Sequence, residues 1–234
     1  VMTLAHELGH GVHQVLAAGV RLAVFLGFWL AGGFFGWAGW VSGLVVSPIG
    51  QGLLGLSLLH VAGTLLSLPF DWHDTFKIEA KYGFNKTTPS VFLADLVKGL
   101  ALGALIGLPV LAILLWLFGT FPGAWLWAWL VVTVLVLVLQ YVAPRYLMPL
   151  FNTFTPLADG PLKSAIYGLS ERCAFPVKEV FVIDGSRRST KGNAFFAGFG
   201  RNKRIALYDT LIEKHSQPEL LAVLAHEIGH CKRG

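Results

Sequence analysis

The sequence predicts a mainly α-helical, polytopic membrane protein in which about four transmembrane helices precede a small α+β portion. Its composition gives the first indication: 55% of the 234 residues are hydrophobic and 13% are charged, with a mean hydropathy of +0.64. Soluble domains carry about 25% charged residues. The second indication is a series of long apolar runs before residue 144, and the third is a capped helical stretch with the motif HEIGH at residues 226–230.

Four apolar runs approach the length of about 20 residues that a helix needs to cross the hydrocarbon core of a bilayer. They cover residues 22–46, 52–68, 96–118 and 125–142, and together they define a membrane region over residues 22–144. Ser47–Gly50 separates the first two runs, Pro69 closes the second, and residues 119–123 form a turn. Residues 70–95 are polar and charged, so they predict a loop.

The placement of charge predicts both the orientation and the environment of the chain. Residues 1–144 hold five Lys or Arg and five Asp or Glu, whereas residues 145–234 hold thirteen and eight. None of the basic residues falls in the turns at 47–52 and 119–124. The positive-inside rule therefore places the 70–95 loop and residues 145–234 on the cytoplasmic side. This basic excess fits an anionic lipid bilayer better than nucleic acid, for which the sequence contains no signature.

The C-terminal portion, residues 145–234, is expected to mix helices and strands. Asp159 is placed to cap a helix that runs through about Phe175, and Val177 to Ile183 alternates as a strand. Residues 193–199 and 204–208 predict a hairpin.

The HEIGH motif carries the candidate chemistry. His226 and His230 are four residues apart, so on a helix they lie on one face and can bind one metal ion, with zinc the expected cofactor. Glu227 follows the first histidine and can serve as the general base. Ser216 and Glu219 have the spacing of a capping box, which predicts where this helix begins.

The motif supplies two ligands, whereas a catalytic zinc site uses three protein ligands and a water molecule. Glu219 lies on the same face but seven residues before His226, which is about 10 Å along the helix axis and too far for a shared ion. We therefore expect the third ligand to lie outside this chain. A catalytically incomplete membrane fragment remains the alternative to an active zinc peptidase.

A second HExxH pattern occurs near the start, formed by His6, Glu7 and His10. Residues 1–20 resemble the active-site helix of the oligoendopeptidase F family of soluble zinc peptidases. That family takes its next ligand from a downstream Glu, but residues 21–60 contain no Asp or Glu. We therefore treat residues 1–20 as a separate segment of foreign appearance. A soluble-type oligopeptidase is a further alternative, against which the four spans argue.

From about residue 22 to the end, several motifs occur in the order found in a known family. They are KIEAKYGFNK at 77–86, MPLFNTF at 148–154, KGNAFFAGF at 191–199, IALYDTL at 205–211 and LAHEIGH at 224–230. With these motifs the chain resembles the integral-membrane CaaX prenyl endopeptidases, the type I CaaX prenyl proteases.

This resemblance implies seven membrane helices around a water-filled chamber, with zinc bound near the cytoplasmic side. It implies hydrolysis of the C-terminal tripeptide of prenylated CaaX proteins or, in bacteria, membrane-protein quality control. His226 and His230 correspond to zinc ligands, Glu227 to the general base, and Asn193, Ala194 and Phe195 to an edge strand that holds a peptide or protein substrate. The family's third ligand, a downstream Glu, is absent here. The expected location is a bacterial inner membrane, or the endoplasmic reticulum in a eukaryote.

Overall fold

The computed structural model describes residues 2–197 and 203–233 and is mainly helical with one small sheet, which confirms the predicted fold class. The chain forms two compact units. The first contains Val1–Asn85 and Leu96–Thr133, and the second contains Lys86–Asp95 and Val134–Gly234.

The membrane region is built from five α-helices. They are α1 (Met2–Leu30), α2 (Gly33–Leu44), α3 (Pro48–His73), α4 (Pro89–Thr120) and α5 (Ala124–Val142). A π-helical turn, Asp74–Glu79, continues α3, and a second one, Ala143–Leu147, continues α5 and leads into a short 3₁₀ turn, Met148–Leu150. In the segment of foreign appearance, residues 2–20 belong to α1 and are continuous with residues 21–30.

The residues that the structure describes contain four candidate membrane spans, the predicted number. They are His6–Leu30, Pro48–Glu79, Pro89–Thr120 and Ala124–Leu150, each long and apolar enough to cross a bilayer. The predicted first span, residues 22–46, is wrong as a single helix because α1 ends at Leu30 and α2 begins at Gly33. Gly32 lies between them with φ +71°, a left-handed conformation that glycine adopts without steric cost. The 12 residues of α2 cover about 18 Å, which is too short to cross the hydrocarbon alone.

The predicted loop at residues 70–95 is also wrong over most of its length. Pro69 lies inside α3 rather than closing it, and helical structure continues to Glu79. The next helix, α4, already begins at Pro89. Polar residues after Pro69 stay helical because their side chains find partners on α1, which a local reading of hydropathy does not detect.

Three histidines on one face of α1 join it to the end of α3. His6 Nε2 lies 3.2 Å from Glu79 Oε1, and His10 Nδ1 lies 2.9 Å from Asp74 Oδ1. His13 Nε2 lies 3.1 Å from the carbonyl oxygen of Phe70. Asp74 and Glu79 are five residues apart, and on an α-helix two such positions differ by about 140° in direction around the axis. The wider π turn brings the two residues towards the same side of the helix. The π turn therefore matches the two carboxylates to histidines spaced four apart.

The second unit contains a four-stranded sheet. Its strands are β1 (Phe154–Pro156), β2 (Val177–Ile183), β3 (Ala194–Ala197) and β4 (Lys203–Tyr208), in the order β1-β2-β4-β3. β2 and β4 are parallel, and the other two pairs are antiparallel. The prediction for β2 is confirmed. Strands β3 and β4 pair as the predicted hairpin requires, although residues 198–202 of that prediction lie outside the described residues.

Helices α6 (Pro161–Arg172), α7 (Asp209–Lys214) and α8 (Gln217–Arg233) complete this unit. Its core combines buried side chains from the sheet and from these helices: Leu157, Ile166, Val180, Ile205, Leu207, Leu211, Leu220 and Leu224. The predicted cap of α6 is wrong, because Gly160 occupies the N-cap position and Asp159 instead accepts a hydrogen bond from Lys163 Nζ at 2.7 Å.

Candidate metal centre

The helix that carries the HEIGH motif begins at the predicted position, with the Glu219 half of the predicted capping box. Both the backbone N–H and the hydroxyl of Ser216 donate to Glu219 Oε2 at 2.8 Å. These hydrogen bonds, the one from the hydroxyl first, hold the pKa of the Glu219 carboxyl below its ordinary value. The carboxylate of Glu219 is thus engaged at the start of α8, which agrees with its exclusion as a metal ligand.

The packing of α8 decides which residues face outward. Leu220, Leu224 and Ile228 are buried and repeat every four residues, so they form the stripe that faces the core. His226 and His230 are each displaced by two residues from this stripe, about 200° around the axis, and both are exposed. Burial of the leucine stripe therefore orients the histidine pair away from the core.

The two histidine rings converge. Their Nε2 atoms are 3.0 Å apart, and the ring planes meet at 82° with centroids 4.5 Å apart. With zinc–nitrogen bonds of about 2.0–2.1 Å, this distance between the two Nε2 atoms corresponds to an N–Zn–N angle of about 95° at a shared ion. A tetrahedral N–Zn–N angle would need the two Nε2 atoms to be about 3.4 Å apart. A few tenths of an ångström of ring movement separates the two geometries, so the pair fits two ligands of one zinc ion.

Glu227 lies between these ligands in sequence and is half-buried. Among the side chains that the structure describes, in residues 6–196 and 203–230, none forms a hydrogen bond or ion pair with its carboxylate, so the group is available to them for proton transfer. Over the same residues, no group of three His, Cys, Asp or Glu side chains is arranged to hold a metal ion. His226 and His230 are therefore a candidate pair of metal ligands, with Glu227 beside them.

The N-terminal HELGH motif is arranged differently. The rings of His6 and His10 are stacked, at 15° and 5.9 Å between centroids, and each contacts a different carboxylate of the π turn. His6 is only 2% exposed and is enclosed by Tyr82 and Phe84, whereas Glu7 is exposed. This motif thus joins two helices, and its histidines do not converge on a common point as His226 and His230 do.

Strand β3, which contains two of the three predicted substrate-binding residues, forms an edge of the sheet and packs beside α8. Asn193 lies immediately before it and pairs with Tyr208, whose N–H donates to the Asn193 carbonyl at 2.9 Å. Hydrogen-bonded and non-hydrogen-bonded pairs alternate along antiparallel strands. The N–H and C=O groups of Ala194 and Phe196 therefore point away from β4, towards the open edge.

Side chains along β3 divide between the two faces of the sheet. Ala194 and Phe196 pack against the core, whereas Phe195 faces the opposite side. There it lines a cavity of about 150 Å³ with Phe154, Phe181 and Ala206.

The Ala194 N–H donates to Asn193 Oδ1 at 2.9 Å, so this outward-facing donor is satisfied within the chain.

The loop before β3 is fixed by a residue that the sequence does not single out. The guanidinium of Arg188 donates to Asn152 Oδ1 at 2.9 Å, to the Phe151 carbonyl at 2.5 Å and to the carboxylate of Asp95. The carbonyl of Arg188 in turn accepts a hydrogen bond from the Lys86 N–H at 2.9 Å. The partners of Arg188 lie 36–102 residues away in sequence. The sequence around Arg188 therefore shows only a basic loop and gives no sign of these contacts.

The same loop is also joined to α7. The carboxylate of Asp209 accepts from the backbone N–H of Ser186 at 2.8 Å, and Thr210 Oγ1 donates to the Lys191 carbonyl at 2.9 Å. The segment that leads into β3 is thus anchored from two directions, which fixes the position of the edge strand beside α8.

Comparisons with known proteins cover almost the entire chain. A family model described as CAAX prenyl protease N-terminal, five membrane helices, matches residues 11–153, and the model of peptidase family M48 matches residues 156–234. CAAX prenyl protease 1 of Saccharomyces cerevisiae is 44% identical over 191 residues, which cover 81% of this chain and 42% of that protein. The human CAAX prenyl protease 1 homolog is 35% identical over 247 residues, covering 88% of this chain and 50% of that protein.

A solved structure has the same fold. The crystal structure of S. mikatae Ste24p matches with a TM-score of 0.90 and 37% identity, over 98% of this chain and 56% of that one. The chain spans about half the length of the curated relatives that it matches.

Proposed function

Because the chain belongs to the CAAX prenyl protease family of M48 peptidases, we propose that this integral membrane protein is a zinc metalloendopeptidase that cleaves the C-terminal peptide of prenylated proteins. One observation carries the proposal. The Nε2 atoms of His226 and His230 converge to 3.0 Å on a capped helix that packs beside an open sheet edge. Metal ligands and a surface that can hold an extended peptide are therefore adjacent within one unit.

Each residue of the motif has a distinct role. His226 and His230 would hold the ion, which when bound polarises the scissile carbonyl and lowers the pKa of its water towards about 7. The Glu227 carboxylate, which no described residue engages, accepts a proton from a water molecule at the site and passes it to the leaving amine.

The substrate would extend the sheet. An edge strand presents unpaired backbone groups to an incoming peptide, and proteases need their substrates extended. The outward N–H of Phe196 and the outward C=O groups of Ala194 and Phe196 provide such positions, whereas the Ala194 N–H would first have to leave Asn193 Oδ1. Alternate substrate side chains would lie on the face of Phe195, beside the 150 Å³ cavity.

The active site is proposed to face the cytoplasm. Four candidate spans would place residues 80–88, between the second and third spans, on the same side as residues 151–234, and most of the basic residues fall in these two segments. The membrane would be the inner membrane of a bacterium or the endoplasmic reticulum of a eukaryote.

A catalytically incomplete protein is the second candidate, favoured by the absence of a third ligand among residues 2–197 and 203–233. The third candidate, an oligopeptidase based on His6, Glu7 and His10, has no comparable support because those histidines contact Asp74 and Glu79.

Metal analysis and peptide cleavage distinguish these candidates. The full-length gene product, purified in detergent, should contain about one zinc per chain and cleave a farnesylated CaaX peptide. Glu227→Gln should keep the zinc and lose cleavage, and His226→Ala should lose both. Glu213→Gln, an exposed change on α7, is the matched control and should behave as wild type. Zinc near zero, or full activity in Glu227→Gln, would contradict the proposal, whereas loss of activity in His6→Ala alone would favour the third candidate.

A further inference from the structure

The first unit contains a cavity that the proposed protease chemistry does not use. It has a volume of about 850 Å³ and lies between α1 and α3, with α2 at one end. This volume falls within the range of about 300–1,000 Å³ that ligand sites usually have. On α1 the lining residues Arg21, Val24, Phe25 and Phe28 follow helical spacing, so one face of the helix is turned towards the cavity.

Contacts at both ends hold α1 and α2 against α3 while the middle stays open. At one end are the histidine contacts to the π turn and Phe70, and at the other end Trp37 of α2 packs against Gly55 of α3. Between them, a side chain added at Gly63 would meet no atom within 4 Å. Side chains that line an empty space of this size within hydrocarbon lose van der Waals contacts, unless apolar atoms fill the space.

The walls of the cavity change from apolar to charged along its length. Phe25, Phe28 and Trp37 line the end near α2, and Arg21, Ser67 and Asp71 line the other end. Pro48 and Ser67 are separated by about 28 Å along α3, close to the roughly 30 Å thickness of the hydrocarbon core. If Pro48 lies at one boundary of the hydrocarbon core, the charged end of the cavity would lie at the other boundary, beside lipid headgroups, and the aromatic end would lie among acyl chains.

Arg21 is half-buried, and its positive charge is not balanced. Its Nε donates to the Ala17 carbonyl at 3.1 Å and its Nη1 contacts Ser67 Oγ at 3.4 Å, both neutral acceptors. In the part of the chain that the structure describes, no carboxylate lies within ion-pair distance of this guanidinium, and Asp71 has no basic partner either. The cavity therefore presents one cation and one anion, each free to bind an opposite charge.

We propose that this cavity binds a zwitterionic phospholipid such as phosphatidylethanolamine. The phosphate binds the guanidinium of Arg21, whose planar set of donors suits phosphate oxygens. The ammonium group of the same headgroup binds the Asp71 carboxylate, and one acyl chain lies along Phe25, Phe28 and Trp37. A headgroup with both charges matches the cavity better than an anionic headgroup, which Asp71 would repel.

Native mass spectrometry of the full-length gene product, titrated with phosphatidylethanolamine and separately with phosphatidylglycerol, tests this assignment. Wild type should retain phosphatidylethanolamine preferentially. Arg21→Gln should weaken binding of both lipids by about ten-fold, since it removes a charge-assisted hydrogen bond. Asp71→Asn should weaken only phosphatidylethanolamine. Gly63→Leu fills the open middle of the cavity without altering a charge, and it should weaken both lipids.

Arg172→Gln is the matched control. Like Arg21, Arg172 donates a hydrogen bond from Nε to the carbonyl four residues earlier, here at 3.3 Å, and its side chain on α6 is exposed. It should bind both lipids as wild type does. Equal retention of the two lipids by wild type would overturn the headgroup assignment. Unchanged lipid binding in both Arg21→Gln and Gly63→Leu would overturn the proposed site. The site would also be overturned if wild type retained neither lipid, for example because another segment of the protein fills the cavity.

Discussion

The guanidinium of Arg188 donates two hydrogen bonds to the carboxylate of Asp95, from Nε at 2.8 Å and from Nη2 at 3.0 Å. Both side chains are about three-quarters buried, and the pair joins the start of α4 to the loop that leads into β3. Because the same guanidinium also binds Asn152 and the Phe151 carbonyl, one side chain holds three segments of the second unit together.

Loss of Arg188 should therefore destabilise this unit. We expect Arg188→Ala to lower the free energy of unfolding by about 2–4 kcal/mol, since it leaves a largely buried carboxylate unpaired. Urea unfolding of the detergent-purified protein measures the change. Arg172→Ala, which removes an exposed arginine, should cost under about 0.5 kcal/mol, and an equal effect of the two substitutions would contradict the anchoring role of Arg188.

The capping box of α8 should make the stability of the protein depend on pH. The pKa of Glu219 is lowered in the folded state by its hydrogen bonds from Ser216. A carboxyl group with a depressed folded-state pKa contributes stability above its unfolded pKa, whose reference value is 4.5, and loses that contribution as the pH falls through the folded-state value. Between pH 7 and pH 3, the melting temperature of wild type should therefore fall more steeply than that of Glu219→Gln. Parallel curves would show that the hydrogen bonds do not persist in solution.

The contact between His6 and Glu79 should be measurable as a coupling between α1 and the π turn. A double-mutant cycle with His6→Ala and Glu79→Ala should give a coupling free energy of about 1–2 kcal/mol, because the two groups are largely buried partners. The same cycle with His6→Ala and Glu213→Ala is the control and should be additive, since no hydrogen bond or ion pair joins these two side chains in the described structure. Additivity in the first cycle would mean that the two side chains do not interact.

The open edge of β3 predicts a selective effect on substrate binding. Ala194→Pro removes an N–H that points away from β4, so the β3–β4 ladder should survive. An incoming peptide would lose the hydrogen bond that it forms by displacing Asn193 Oδ1 from this N–H. The KM for a farnesylated CaaX peptide should rise about ten-fold with little change in zinc content. Phe195→Leu, which keeps every backbone donor, serves as the control. A variant that binds and cleaves the peptide normally would exclude strand addition at this position.

Local patterns predicted the elements whose determinants are close in sequence. The boundaries of β2 and the capping box of Ser216 and Glu219 match the structure, because alternation and capping act over a few residues. The convergence of His226 and His230 likewise follows from helical spacing.

The elements that depend on distant contacts were not predictable in this way. Polar residues 70–79 indicated a loop, but Asp74 and Glu79 have partners 64 and 73 residues earlier, and these contacts stabilise a helix there. Arg188 gave no signal for the same reason, since Asp95 lies 93 residues before it. The break at Gly32 was hidden in a run that is uniformly apolar, where hydropathy does not distinguish one helix from two.

The π turn at Asp74–Glu79 has a consequence for tracing the ancestry of this segment. A π turn accommodates one residue more than the α-helical turn it replaces, so it can arise by a single-codon insertion that leaves the flanking helix intact. In homologues without histidines at the positions of His6 and His10, the contacts that the extra residue allows Asp74 and Glu79 to make would not form. We therefore expect a one-codon gap within residues 74–79 when such homologues are superimposed on this chain, and ungapped alignments would shift the positions after residue 79 by one.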